Sequence, residues 1–333
     1  MTNIPKGRTL ITGANGFVGL RLCEEARRLG WMVRGAVRTP FQFGRGIEQA
    51  AVGSIDGSTE WTAALRQIDV VIHLAARVHV LHNDSVDPLA EFLKVNLLGT
   101  ENLANQAARA GVKRLVYVSS IKVNGEVTLQ GAKFTEDGPA VPQDPYGVSK
   151  WQAEQALHQI DQSTGLEVVI IRPPLVYGPG VKANFAALMR AVQGGWPLAL
   201  GSVQNRRSLV ALDNLVDLIL TCVSHPSAAN QTFLVSDGHD LSTTELVRGL
   251  ARAANMPARL MPVPVWALRA GATLLGMEGE VQRLCGSLQV DISKARRVLG
   301  WQPPVGVEEA LRRAVAGAGP GAGAGARAGV KPA

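Results

Sequence analysis

The segment 117–125 reads YVSSIKVNG, and 146–150 reads YGVSK. Residues at i and i+4 of a helix share one face. Tyr146 and Lys150 can therefore aim a phenol and an ammonium at one point, where a serine closing a neighbouring strand can join them. These are the parts of a proton-transfer site. A tyrosine that passes a proton to and from a substrate oxygen must ionise near neutral pH, yet a free phenol has a pKa of about 10. Positive charge beside it favours the phenolate and lowers that value. Lys150 supplies such a charge, and Ser120 is placed to hold the reacting oxygen by hydrogen bond.

The glycines of TGANGFVG, at 12–19, say what stands behind that site. Gly13, Gly16 and Gly19 form a G-x-x-G-x-x-G array between a β-rich run and the start of helical periodicity. Glycine permits the tight turn and a close backbone approach to a pyrophosphate, and the helix N-terminus offers unpaired N–H groups to the anion. The array implies a dinucleotide held by Gly13, Asn15, Gly16, Phe17, Val18 and Gly19. An oxidised nicotinamide then adds to the positive charge beside Tyr146, and Lys150 can also grip the nicotinamide ribose. The second strand ends GAVRTP. NAD usually meets an Asp or Glu at this tip, whereas a guanidinium suits a 2′-phosphate. Val37 and Arg38 stand here, so NADP(H) is expected ahead of NAD(H).

Elements of a particular kind must position these groups. RTLITG (8–13), MVRGAV (32–37), DVVIHLAA (69–76), RLVYVSS (114–120) and EVVIIRPP (167–174) are short apolar runs separated by helical patterns such as 18–30 and 103–111. Strands of this type joined by helices predict an α/β fold of the Rossmann kind, a doubly wound parallel sheet covered on both faces. Ligands gather beyond the carboxyl ends of such strands, where Ser119 and Ser120 fall. The expected organisation is a dinucleotide-binding domain over 1–175 with interleaved later strands, a smaller substrate-binding lobe over 176–315, and a disordered Gly/Ala tail over 316–333. Helical pieces are expected at 183–193, 243–254 and 263–275, and a strand at 232–236.

Composition narrows the class. The chain has 333 residues and is 46% apolar, enough for a substantial core. Its longest apolar stretch, 263–277, contains Pro264 and Arg269 and falls short of the roughly 20 residues that span a bilayer, so it reads as a buried helix. A net charge of +7 is spread without an aromatic platform for bases, which points to a small anionic substrate rather than nucleic acid. Cys23, Cys222 and Cys285 share no motif spacing, and no charged-then-apolar leader precedes RTLITGANG. The chain reads as a reduced, cytoplasmic protein with thiols in its core and no metal site.

The sequence resembles the extended short-chain dehydrogenase/reductase family, and within it the nucleotide-sugar 4-epimerases and 4-ketoreductases of bacterial O-antigen clusters. TGANGFVG, HLAA (73–76), VNLLGT (95–100), VSS, YGVSK, RPPLVYGPG (172–180), RSLVALDNLVDLI (207–219) and LGWQPP (299–304) carry the resemblance over about residues 8–312. It implies a Ser120/Tyr146/Lys150 triad, with Asn96 supporting the site and Leu74, Ala75, Ala76, Ser119 and Pro173 along the cofactor. It also implies a UDP-sugar substrate whose diphosphate meets Asn184 and Arg207, and a homodimer formed through the Tyr146 helix and a long helix at about 88–110.

Two departures bear on the reaction. Related 4,6-dehydratases carry Asp-Glu after the catalytic Ser or Thr, and this chain has Ile121-Lys122, which argues against dehydration and leaves Lys122 facing sugar, phosphate or solvent. Related epimerases often have Tyr where Asn124 stands, and they retain NAD. With Arg38, this favours reduction of a UDP-linked 4-keto sugar at C4. A UDP-hexose 4-epimerase with bound NAD is the nearest alternative. A reductase of uncharged carbonyl compounds would need neither Asn184 nor Arg207, and a non-catalytic NADP sensor would not need the triad.

Overall fold

The apolar runs become strands buried on both faces. The computed structural model describes residues 7–78 and 87–317. In chain order the strands are β1 (Arg8–Thr12), β2 (Met32–Val37), β3 (Ile47–Ala51), β4 (Val70–His73), β5 (Arg114–Val118), β6 (Glu167–Arg172), β7 (Leu175–Tyr177), β8 (Leu209–Ala211) and β9 (Thr232–Leu234). The helices are α1 (Phe17–Arg28), α2 (Pro88–Leu93), α3 (Gly99–Arg109), α4 (Pro145–Ser163), α5 (Ala183–Gln193), α6 (Leu212–Ser224), α7 (Thr243–Ala253), α8 (Val265–Leu275), α9 (Glu278–Cys285), α10 (Ser293–Leu299) and α11 (Val307–Ala316).

Among the described residues, one sheet of seven strands has the order β3-β2-β1-β4-β5-β6-β9, with every neighbouring pair parallel. This is the doubly wound α/β arrangement expected. Its order reverses between β1 and β4, so the crevice for a ligand opens above the carboxyl ends of those two strands. Leu10, Ile11, Val71, Ile72, Leu115, Val116, Val169 and Ile170 are fully buried in the middle of the sheet. Burying one such side chain contributes about 1.5–3 kcal/mol. α1 and α6 lie together, joined by the ion pair of Arg21 with Asp213 at 2.8 Å, and α3 packs beside α4. Later parts of the chain thus return to the first half: α6 covers the sheet and β9 extends it.

A smaller sheet pairs β7 with β8, and a separate apolar cluster joins α5, α7 and α11. Asp237 binds the two sheets together. Beyond β9, its carboxylate accepts hydrogen bonds from Tyr177 Oη at 2.7 Å, Ala211 N at 2.8 Å and Asn214 Nδ2 at 2.7 Å.

Three expectations change. β3 has no counterpart in the sequence reading, because IEQAA is a half-exposed edge strand recruited by pairing with β2 rather than by an apolar run. The helix expected to be buried, α8, buries only Ala272 and leaves Trp266 73%, Leu274 87% and Leu275 74% exposed. Its apolar residues encircle the helix instead of forming one stripe, so a single contact face cannot cover them. Cys23 and Cys222 are buried thiols, whereas Cys285 is only half-buried. Of the expected tail, Ala316 closes α11 and residues from 318 onward lie outside the described residues. No helix among the described residues is long and apolar enough to cross a membrane.

Candidate active site

The glycine array closes onto itself through the backbone. Gly13 follows β1 at φ +64°, and a Cβ there would stand 3.0 Å from Ala75 N. Gly19 lies buried in the first turn of α1, where a Cβ would come within 2.2 Å of Gly13 O. Gly16 precedes α1 and donates its N–H to Gly13 O at 2.9 Å. No side chain caps the start of α1 and no acidic residue stands in its first turn, which leaves the helix's free N–H groups open to an anion. Asn15 is exposed there, with Phe17 and Val18 half-buried behind it. Across the crevice, Leu74, Ala75 and Ala76 continue β4, and Ser119 at the end of β5 keeps a buried hydroxyl with no hydrogen-bond partner. A bare cradle, an open helix end and an unpartnered buried hydroxyl fit a bound dinucleotide. Arg38 lies one residue past β2, exposed, and makes no ion pair or hydrogen bond among the described residues.

The candidate proton-transfer groups of α4 face the end of β5. Asp144 caps α4, its Oδ1 accepting from Gly147 N at 2.7 Å, and Pro145 occupies the first turn. The helix therefore starts at the point that sends Tyr146 and Lys150 toward β5. Ser120 follows that strand in an extended conformation, its Oγ accepting from Lys122 N at 3.2 Å, and its hydroxyl lies beside the phenol of Tyr146. Lys150 Nζ donates to Val118 O at 2.8 Å and lies 4.1 Å from the centre of the Tyr117 ring. The end of β5 is held against β6 by Ser119 N to Ile171 O at 2.7 Å and by Ile121 N to the carbonyl of buried Pro173 at 3.0 Å.

The electrostatics correct one expectation. Burial pushes the Tyr146 phenol above its usual pKa and the Asp144 carboxylate adds to the rise, with the Ser120 hydroxyl opposing both. Burial also pulls Lys150 down to about 7, against the opposing effect of Glu154. Tyr146 is thus not poised to ionise by its protein surroundings alone. A full positive charge at Lys150 or on a bound ring brings it down.

On the substrate side the two expected cations already have partners. Lys122 pairs with Glu126 at 3.0 Å and with Asp144. Burial lowers its pKa, but the hydrogen bonds to these two carboxylates outweigh it and the net change is upward. Arg207 donates to Gly286 O at 3.1 Å; burial lowers its pKa and Glu126 opposes that. One carboxylate therefore faces both cations. Arg206 points outward to Glu245, and Asn184, exposed in the first turn of α5, makes no hydrogen bond among the described residues. Asn124 is not at the sugar's disposal: it is buried, accepts from Arg172 Nη1 at 3.0 Å and donates to Thr135 O at 3.0 Å. Arg172 in turn forms a buried ion pair with Glu154 at 2.6 Å.

Asn96 acts as a bracket. Its side chain accepts from Arg77 N at 2.8 Å and donates to Arg77 O at 3.0 Å and Ser149 Oγ at 2.9 Å, which fastens the segment after β4 to α4. It sits in a widened turn, Lys94–Leu98, where Gly99 N donates to Lys94 O, five residues back. This turn interrupts the long helix expected at 88–110.

Sequence reasoning missed a buried chain beneath the site. Thr12 Oγ1 accepts from Leu74 N at 3.2 Å and Ala75 N at 3.1 Å and lies 2.6 Å from His73 Nδ1. With both lone pairs in use, that hydroxyl gives its proton to Nδ1, so Nε2 carries the ring's N–H and donates to Thr100 Oγ1 at 2.9 Å. Burial, reinforced by Lys150, holds His73 down at about 3 and keeps it neutral. The His73 ring stacks on Tyr117 with centres 5.6 Å apart. The only sequence signal was that Thr12, His73 and Thr100 border the motifs TGANG, HLAA and VNLLGT.

A Rossmann sheet, a glycine cradle and a Ser–Tyr–Lys set are the features of the extended short-chain dehydrogenase/reductase class. Residues 9–236 match the NAD dependent epimerase/dehydratase family, and the chain belongs to it. It is 49% identical to a UDP-glucose 4-epimerase of Vibrio cholerae over 91% of this chain and 93% of that one. It is 28% identical, over 92% and 93%, to an Escherichia coli O157:H7 4-epimerase of N-acetylglucosaminyl-diphospho-undecaprenol. The solved structure of MoeE5 with UDP-glucose and NAD superimposes with a TM-score of 0.75 at 26% identity, covering 93% of this chain and 98% of that one.

Proposed function

We propose that this chain is a UDP-hexose 4-epimerase. The observation that carries the reading is the 49% identity to the V. cholerae UDP-glucose 4-epimerase along nearly the whole chain. The Ser120–Tyr146–Lys150 geometry supports it. Hydride removal from C4 and its return are the chemistry a bound NAD supplies. Gly13, Gly16, Gly19, Ser119 and Lys150 would hold that cofactor, and Ala75 would line it. Tyr146 takes the proton of the C4 hydroxyl as the ketone forms and gives it back when the alcohol is restored. Ser120 keeps the oxygen within reach, and the ammonium of Lys150 offsets the burial that otherwise holds the phenol neutral. Arg207 and Asn184 bind the diphosphate, Arg207 leaving Gly286 O to do so. The resulting sugar nucleotide serves synthesis of a bacterial surface polysaccharide.

A second reading, reduction of a UDP-linked 4-keto sugar by NADPH, rests on Arg38, exposed and unpaired among the described residues where an acidic residue would serve NAD. The two differ in whether the cofactor stays. The test is to incubate purified protein with UDP-glucose and with UDP-N-acetylglucosamine, no cofactor added, and to identify the nucleotide released on denaturation. Formation of the C4 epimer with NAD released supports the epimerase. An empty site, no epimer, and NADPH oxidation on a UDP-4-keto sugar would install the reductase in its place.

A further inference from the structure

We propose that Tyr117 is a positioning residue for this reaction, its aromatic face forming the seat that holds the Lys150 ammonium beside Tyr146. The inference rests on the reading of Lys150 as the cation that promotes ionisation of Tyr146.

An ammonium carries three N–H donors, and Lys150, 1% exposed, directs one to Val118 O at 2.8 Å. No other hydrogen-bond acceptor meets it among the described residues. The Tyr117 ring, 4.1 Å from Nζ, supplies the missing electron density. The surroundings explain why a ring is needed. Glu154, one turn along α4, is committed to Arg172 through a buried two-oxygen ion pair. Tyr146 is a neutral phenol, and His73, facing the site from β4, is neutral as well and adds no repelling charge. The ring is also fixed in place. Tyr117 is fully buried, His73 stacks on it with 26° between the planes, and His73 is pinned at both nitrogens by Thr12 and Thr100. The same Thr12 holds Leu74 N and Ala75 N beneath the glycine cradle. A continuous set of contacts thus runs from the cofactor cradle to the catalytic lysine.

The Tyr117 hydroxyl is dispensable for this role. It is buried without a well-formed hydrogen bond, and burial drives its pKa well above the ordinary phenol, so it moves no proton. The seat is the ring.

The test varies the ring's electron density at nearly constant volume. Tyr117→Phe should keep the wild-type rate within about twofold and leave the pH–rate profile in place. Replacing Tyr117 instead by 3,4,5-trifluorophenylalanine empties the face of the ring. Lys150 then loses its proton more readily, Tyr146 loses the neighbouring cation, and the limb that reports Tyr146 ionisation should move up by about half to one pH unit. The Michaelis constant for the UDP-sugar should not change. A readout independent of turnover is the stability of the cofactor-free protein against pH, in which fluorination should shift the Lys150 titration downward. In a Lys150→Met background fluorination should shift neither curve. An unmoved limb, or the same shift in the Lys150→Met background, would overturn the proposal. If Lys150→Met itself leaves the profile of the unfluorinated enzyme unchanged, the fault lies with the role given to Lys150 and not with Tyr117.

Discussion

The cofactor side and the substrate side of the crevice are built on different principles. On the cofactor side, backbone forms most of the surface: three glycines, an uncapped helix end and the strand ends of β4 and β5 make a cradle that no side chain has to enter. On the substrate side, the expected contacts are long side chains already occupied, Lys122 with two carboxylates and Arg207 with Gly286 O. The first surface is fixed by backbone that is already in place. The second must exchange protein contacts for substrate contacts, so breaking them offsets part of its binding energy. One side is suited to a ligand that stays, the other to a ligand that comes and goes.

Perturbations can break this contrast. The largest effect is expected where the two sides meet. Tyr146→Phe removes the proton carrier and should lower turnover by about 10² to 10⁴-fold while cofactor still binds; retention of half the wild-type rate would remove Tyr146 from the mechanism. Next is Arg207→Ala. A charge-assisted contact is worth roughly 1.5–3 kcal/mol, so the Michaelis constant for the UDP-sugar should rise about 10- to 100-fold with NAD affinity unchanged. Arg206→Ala is the control, and equal protection of wild type and Arg207→Ala by UDP in thermal unfolding would place Arg207 elsewhere.

Gly19→Ala tests the backbone side. Its methyl would fall 2.2 Å from Gly13 O, and overpacking of that kind costs about 1–3 kcal/mol. NAD affinity measured by calorimetry should fall with little change in UDP affinity, whereas a loss shared equally by both ligands would mean the two sides are not independent. A test that needs no ligand belongs to Lys150 in the cofactor-free protein. Its pKa is about 7 when folded, against an ordinary lysine value of 10.5 when unfolded. The unfolded chain therefore binds more protons between those values, and stability should rise with pH from about 7 toward 10. Lys150→Met should flatten that rise in denaturant titrations. The smallest change is expected from Arg38→Ala, which should weaken NADPH alone in nicotinamide fluorescence titrations; equal affinity of wild type for NADPH and NADH would leave Arg38 as a solvated surface residue.

Much of the cofactor side is legible in the sequence alone. Tyr146, Lys150 and the glycines lie close in sequence to the elements that position them, and the apolar runs of β1, β2, β4, β5 and β6 declare their burial. What escapes is long-range. Thr12 meets His73 across 61 positions and His73 meets Thr100 across 27, and no local pattern marks such pairs. Lys122 is ambiguous in the sequence because its partners, Glu126 and Asp144, can be assigned only once the loop after β5 is placed against α4. The exposure of α8 is hidden for the opposite reason: local hydropathy is strong there, but nothing local says whether a neighbour exists to cover it.

The widened turn at Lys94–Leu98 makes the length of the chain itself a functional parameter. An α-helix turns by about 100° per residue, and the single extra residue held in a wide turn absorbs that angle between α2 and α3. Deleting any one residue there would let residues 88–109 run as a regular helix, locally a more comfortable state, while swinging the two halves out of phase. Asn96 would then lose Arg77 or Ser149, and the bracket between β4 and α4 would open. Exposed Leu98 can change its identity with little effect, but the segment cannot change its count.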